Sequence, residues 1–273
     1  MNPLFWCLVV FGAICVVVWV LSVLTNEHSW VDRIWSVVPV VYAWIFAGAA
    51  GLNDARLDVV AVLITLWGIR LTFNFARKGG YRPGGEDYRW QVLRSRMPGW
   101  QFQLFNVFFI TIYQNIILLL ITLPMLTMWQ NQRPFSALDV VAALVFVAFL
   151  AGETTADQQQ WNFHSWKRAE TAAGREPDPR FLQTGLFSVS RHPNFFFEQA
   201  QWWVVFFFGA IAAASVLQWT VLGAVLLSTL FIGSTVFTES ISKSKYPEYA
   251  DYQARTSALV PWFAKRGAAA RTA

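Results

Sequence analysis

A chain of 273 residues with 56% hydrophobic and only 14% charged residues is not a soluble globule, in which about a quarter of the residues carry charge. The formal charge of +5, from 21 Lys and Arg against 16 Asp and Glu, reflects how the loops are filled, and no nucleic-acid partner is expected from it. Cys7 and Cys15 lie eight residues apart in one apolar run and the chain has three His, a composition that argues against a disulfide framework and against a metal centre.

A helix crosses hydrocarbon with roughly 20 mostly apolar residues. Seven stretches supply them: 4–24, 34–52, 57–76, 104–128, 137–152, 195–214 and 216–238. The first has no basic start and no small-residue cleavage site, so it reads as a retained helix rather than a signal peptide. The fifth is short, and the last two should form a tight hairpin. This predicts an all-α polytopic membrane fold, with residues 1–262 as one integral domain and an Ala-rich, disordered tail at 263–273. Basic residues fix the orientation. Six fall in 77–103, five in 153–194 and six after residue 239, and Arg33 joins them if the N-terminus is outside. The positive-inside rule then places the N-terminus out and the C-terminus in the cytosol.

The segments on the basic side carry the chemistry. Arg70, about two turns inside the third span, needs an acid, with Asp32 or Glu239 as the candidates. After it, Gly79, Gly80, Gly84 and Gly85 stand among Arg77, Lys78, Arg82 and Arg89. Phosphate-loop fingerprints need a strand before the glycines, and here a membrane helix precedes them. An anionic ligand still suits the arginines, with lipid headgroups as the plainer partner. Glu153, Asp157, Gln160, His164 and Arg168 recur at spacings of three and four, a polar stripe if the fifth span continues as a helix. It is either a solvated face or a run of acceptors and donors suited to a ribose and a phosphate. In 183–198, Pro193 fits a first helical turn, and Asn194, Glu198 and Gln201 share one face of a Phe- and Trp-rich span. Glu198 should find Arg191 or His192 as a partner. Tyr246, Tyr249 and Tyr252, three apart after Glu239, turn their rings toward the membrane or toward an adenine.

Taken together, Gly-Glu-Asp-Tyr-Arg (85–89), Gly-Leu-Phe-Ser-Val-Ser-Arg-His-Pro-Asn-Phe-Phe-Phe-Glu (185–198) and Tyr-Pro-Glu-Tyr-Ala-Asp-Tyr-Gln (246–253) before Val-Pro-Trp carry a resemblance. Over roughly residues 30–262 the chain resembles a bacterial, DUF1295-like membrane family related to the steroid 5-alpha-reductase C-terminal domain. The wider group includes sterol reductases and isoprenylcysteine carboxyl methyltransferases. The resemblance implies seven helices, NADPH held by cytosolic loops and helix ends, a hydrophobic substrate drawn from lipid, and a bacterial cytoplasmic membrane. It makes Asn194 a nicotinamide-side contact and Glu198 its supporting acid. Asp157 and Arg168 match a polar helix with a trailing Arg, although Trp161 replaces an acid there. The reductases' Glu–Tyr pair has no match: Trp67 stands at the Tyr position, and the second span offers Tyr42 and no Glu. Arg70 matches the third-span Arg.

The function so implied is hydride transfer from NADPH to a conjugated double bond of a steroid-, isoprenoid- or lipid-like substrate. Tyr42, Tyr113 and His192 are the candidate acids. Arg70, Arg77, Glu86, Asp87, Arg89, Asp157, Gln160, His164, Arg168, Arg191, Asn194, Glu198, Glu239 and Tyr249 are the candidate cofactor contacts. Two rivals stand beside it: an S-adenosylmethionine-dependent membrane methyltransferase, and a non-enzymatic lipid-binding protein that keeps the fold. Arginine content favours the dinucleotide over a sulfonium. The oligomeric state is not legible in one sequence.

Overall fold

The computed structural model describes residues 2–263, so the tail expected to be disordered lies, apart from Phe263, outside the described residues. Every regular element among the described residues is a helix. Seven stretches are long and apolar enough to cross a membrane: Pro3–Thr25, Trp30–Ala49, Ala55–Arg77, Gly99–Gln130, Ala137–Ala172, Pro193–Ala213 and Val221–Lys245. The chain is a multi-pass, all-α membrane protein. Its contacts divide it into two compact units, one formed by residues up to 146 with 202–227 and the other by 147–201 with the residues from 228 on.

In the first unit, α1 (Pro3–Thr25) starts on Asn2, whose side chain accepts from the Leu4 N–H at 3.0 Å. Only Pro3, Cys7, Val18 and Ser22 are buried along it, and the rest is an apolar exterior suited to lipid. The second span is broken into α2 (Trp30–Ile34) and α3 (Val38–Ala49). It returns through a turn with positive φ at Gly51 and Leu52 into α4 (Ala55–Arg77), capped by Asp54. Gly68 lets α4 approach closely: a Cβ there would sit 2.6 Å from the Ser36 carbonyl oxygen. Next come α5 (Tyr88–Arg96) and a composite fourth span made of α6 (Gly99–Phe105), a π-helix (Asn106–Tyr113), α7 (Gln114–Thr122) and α8 (Pro124–Gln130). Arg56, in the first turn of α4, grips Asp139 in two parallel bonds of 2.6 and 2.8 Å, both residues buried. Arg56 also donates to the carbonyls of Arg133 and Pro134.

The second unit is built on α9 (Ala137–Ala172), from residue 147 on. A short span ending at residue 152 was the expectation. Beyond that apolar part the helix continues to Ala172, the condition on which the polar stripe was read, because its polar half has no breaker before Gly174 and Glu153 finds a hydrogen-bond partner on α10 (Pro193–Ala213). Gly152 is needed there, since the Phe197 ring lies 2.6 Å from where a Cβ would stand. A 3₁₀ turn (Gly185–Ser188) hangs from Gln159, whose Oε1 accepts from the Leu186 N–H at 2.9 Å. Pro193 does open α10. The turn after α10 is longer than expected, covering 214–220 with Ala214 at positive φ, before α11 (Val221–Lys245) and α12 (Tyr249–Arg255). The segment after α12 lies against 189–192 in extended fashion: Arg191 N donates to Ser257 O (2.8 Å), His192 N to Ala258 O (3.1 Å) and Trp262 N to Val189 O (2.9 Å).

Candidate functional site

The stripe on α9 sorts by depth. Glu153 and Asp157 are 2% and 4% exposed, while Gln160 is half-buried and His164 and Arg168 lie at the surface. On α10, Glu198 is 7% exposed and Gln201 fully buried. Gln201 Nε2 donates to Glu153 Oε2 at 2.7 Å and to the Phe197 carbonyl at 3.2 Å, and its Oε1 is buried with no hydrogen-bond partner. Asn194, half-buried, precedes Glu198 by one turn. Phe149, with its ring 6.2 Å from those of Phe196 and Phe197, adds an apolar wall. Buried amides and carboxyls almost always find partners. Among the described residues, Gln201 Oε1 is a buried acceptor for which the protein supplies no donor. At the outer end, Arg168 donates to Ser165 Oγ (3.0 Å) and lies 5.4 Å over the Trp161 ring.

Arg191 and His192 were expected to pair with Glu198. Both bind Glu239 instead. Arg191 Nε and Nη2 reach its two oxygens at 2.6 and 2.9 Å, His192 Nε2 lies 3.1 Å from Oε1, and Gln253 Nε2 donates to Oε2 at 2.8 Å. The remaining Arg191 Nη1 donates to the carbonyls of Gln253 and Thr256. Burial alone would lower the Arg191 pKa, but the bonds and charge of Glu239 outweigh it and raise it. The guanidinium is thus consumed in fastening the C-terminal segment, and so is the acid. Tyr249 and Tyr252, expected on the membrane or an adenine, are buried against the Phe181 ring at 5.1 and 5.6 Å, and Tyr252 donates to the Phe187 carbonyl. Their aromatic area has gone into the protein itself.

In the first unit the Gly-Glu-Asp-Tyr-Arg motif is also self-engaged. Glu86 accepts from the His28 N–H (2.7 Å) and from Arg94 (3.2 Å). Asp87 caps α5 and holds Arg89 at 3.0 and 2.8 Å. Gly85 is required because a Cβ there would meet the Gly79 carbonyl at 2.3 Å. Arg77 Nε donates to Asn74 Oδ1 at 2.9 Å. Both acids expected for the half-buried Arg70 are engaged elsewhere, Asp32 by Trp90 Nε1 (2.8 Å) and Glu239 by Arg191. Tyr113 stacks on Phe109 at 5.3 Å. Tyr42 is fully buried. Its hydroxyl and the indole N–H groups of Trp67 and Trp202, two rings meeting edge-on at 4.9 Å, are buried donors without hydrogen-bond partners. A separate cleft of about 410 Å³ beside Asn53, Asp54, Arg133 and Phe135 is open to solvent.

Glu153 and Gln201 stood in the polar stripe and face read from the sequence but not among the candidate contacts, and Trp202 was not singled out at all. Gln201 had a signal, since it follows Glu198 by three residues on the same polar face. Trp202 had none, because an indole in an aromatic-rich span reads as packing.

A family model described as a protein of unknown function (DUF1295) matches residues 18–256. A protein of Schizosaccharomyces pombe described as uncharacterized protein C594.04c is 40% identical over 262 residues, a match that covers 90% of this chain and 76% of that one. That relative is eukaryotic, so the bacterial cytoplasmic membrane implied by the resemblance is not supported. No solved structure matches the chain.

Proposed function

The chain belongs to the DUF1295 family, and we propose that it is a membrane reductase that uses NADPH to saturate a conjugated double bond in a lipid-dissolved substrate. The observation that carries this reading is the buried, unpartnered side-chain oxygen of Gln201 on the polar face of α10. Gln201 there holds an open buried oxygen beside Glu153, while Asp157 and Glu198 are buried on the same two helices. The Gln201 oxygen fits a donor of a nicotinamide carboxamide, and Asn194 has both an acceptor and donors for the same carboxamide. Bound NADPH supplies the hydride. The chain's part is to orient the ring through Asn194 and Glu198 and to exclude water with Phe149, Phe196 and Phe197. The resemblance to the steroid 5-alpha-reductases supports the reading, and the Tyr-to-Trp change at Trp67 argues for a non-steroid substrate. The basic loops support a nucleotide site on the cytosolic side.

A second reading has its own support. The buried acids Glu153, Asp157 and Glu198 of α9 and α10 also suit a sulfonium and its ammonium group, as in S-adenosylmethionine. Thermal melting of the purified protein with NADPH, NADH and S-adenosylmethionine separates the two. A ligand present at 100 times its dissociation constant adds about 2.7 kcal/mol to the state it binds. Stabilisation by NADPH and not by S-adenosylmethionine supports the reductase; the reverse pattern overturns it.

A further inference from the structure

At the outer end of the second unit two ammonium groups converge on one phenol. Lys167 of α9 donates to the Tyr246 hydroxyl at 3.0 Å and to the Arg180 carbonyl. Lys245, the last residue of α11, brings its ammonium group to the same ring. The two ammonium nitrogens lie 4.9 and 5.4 Å from the Tyr246 ring centre, and Phe181 packs against that ring at 6.0 Å. Among the described residues neither lysine meets a carboxylate. The nearby acids Glu176 and Glu248 are both turned to Arg180. Like charges gathered on a neutral oxygen repel each other unless an anion lies between them. The helix end accounts for Lys245 in part, since cations favour a C-terminus. It does not account for Lys167, which sits more than a turn before the end of α9.

We propose that Lys167, Lys245 and the Tyr246 hydroxyl form a binding site for a phosphate monoester. A dianion with three terminal oxygens can take one bond from each of the three donors, and charge-assisted bonds of this kind are short and strong. Resting on the reductase reading, the ligand is the 2′-phosphate of the NADPH adenosine, and the site sets the preference for NADPH over NADH. Asp157 and Lys167 are ten residues apart on one helix, about 15 Å along its axis, a span suited to an extended dinucleotide running from its nicotinamide ribose to its adenosine. The lowered pKa of Tyr246, where the two lysines outweigh burial, reports the same positive field. The headgroup of phosphatidic acid offers identical chemistry from the lipid side.

The test compares wild type with the Lys167→Ala/Lys245→Ala double variant in detergent, probed with 2′,5′-ADP, NADPH, NADH and short-chain phosphatidic acid. The expected result is that 2′,5′-ADP and NADPH bind the double variant at least tenfold more weakly, while NADH binds both proteins alike. If the double variant fails to melt cooperatively, Lys245→Gln, at an exposed position, is expected to weaken 2′,5′-ADP by a smaller but measurable factor. NADPH binding that ignores the lysines overturns the site and leaves the reductase reading standing. Wild type that binds neither nicotinamide nucleotide sinks the reductase reading. In that case lysine-dependent binding of phosphatidic acid retains the phosphate site, and lysine-independent binding, or none, removes it.

Discussion

Arg191 shows how a residue's type and its role come apart. In the sequence it stands in an Arg-His-Pro motif beside a membrane helix, a natural phosphate contact. In the folded chain its side chain is consumed by Glu239 and by two carbonyls of the C-terminal segment. Breaking a buried ion pair by removing one partner costs about 3–5 kcal/mol. Arg191→Ala should therefore lower the melting temperature of the ligand-free protein, with little change in NADPH affinity for the fraction that remains folded. Paired melting and titration curves check this. His28 makes a pH-dependent contribution. Burial lowers its pKa, the Arg94 charge adds to that, and Glu86 opposes both. A histidine with a depressed folded pKa gives stability that is present above its unfolded value of about 6.5 and is lost as pH falls below it towards the folded value. Melting temperature should fall between pH 7.5 and 5.5, and His28→Gln should flatten that slope. Glu27, also lowered by its bonds to Gly84 and Arg33, acts in a more acid window, below about 4.5.

At the level of elements, the seven spans were legible because hydrocarbon thickness sets their length and apolarity marks them. Their irregularities were not. The break between α2 and α3, the π-helix at Asn106–Tyr113 and the 36-residue α9 depend on what each helix packs against, which a hydropathy pattern does not encode. Arg56 illustrates this. The positive-inside count leaves it among the few basic residues on the outer side, with no partner visible in the sequence. In the fold it reaches 83 residues along the chain to Asp139 and ties the start of α4 to the start of α9. Asp139→Asn should destabilise the protein by about 3–5 kcal/mol, whereas replacing both partners with apolar residues of similar volume should come close to neutral. Denaturant titration of the single and paired variants distinguishes these outcomes, and equal losses in both would mean that the pair is not what holds the junction.

Over the whole molecule, the candidate site was half legible. The α9 stripe and the Asn194–Glu198 face were visible as periodicity, and their inner members are indeed buried. Which cations are already spent was invisible, because Arg89, Arg94 and Arg191 each look available until the fold supplies Asp87, Glu86 and Glu239. The arginine count therefore says less about phosphate binding than it first suggests. The most direct test measures NADPH affinity and ligand-free melting temperature together in Asn194→Ala and Glu198→Gln. If these residues orient a nicotinamide, removing charge-assisted or amide hydrogen bonds should weaken binding by about 1.5–3 kcal/mol, with the ligand-free melting temperature nearly unchanged. Wild-type NADPH affinity in both variants, whatever their melting temperatures, would contradict the account.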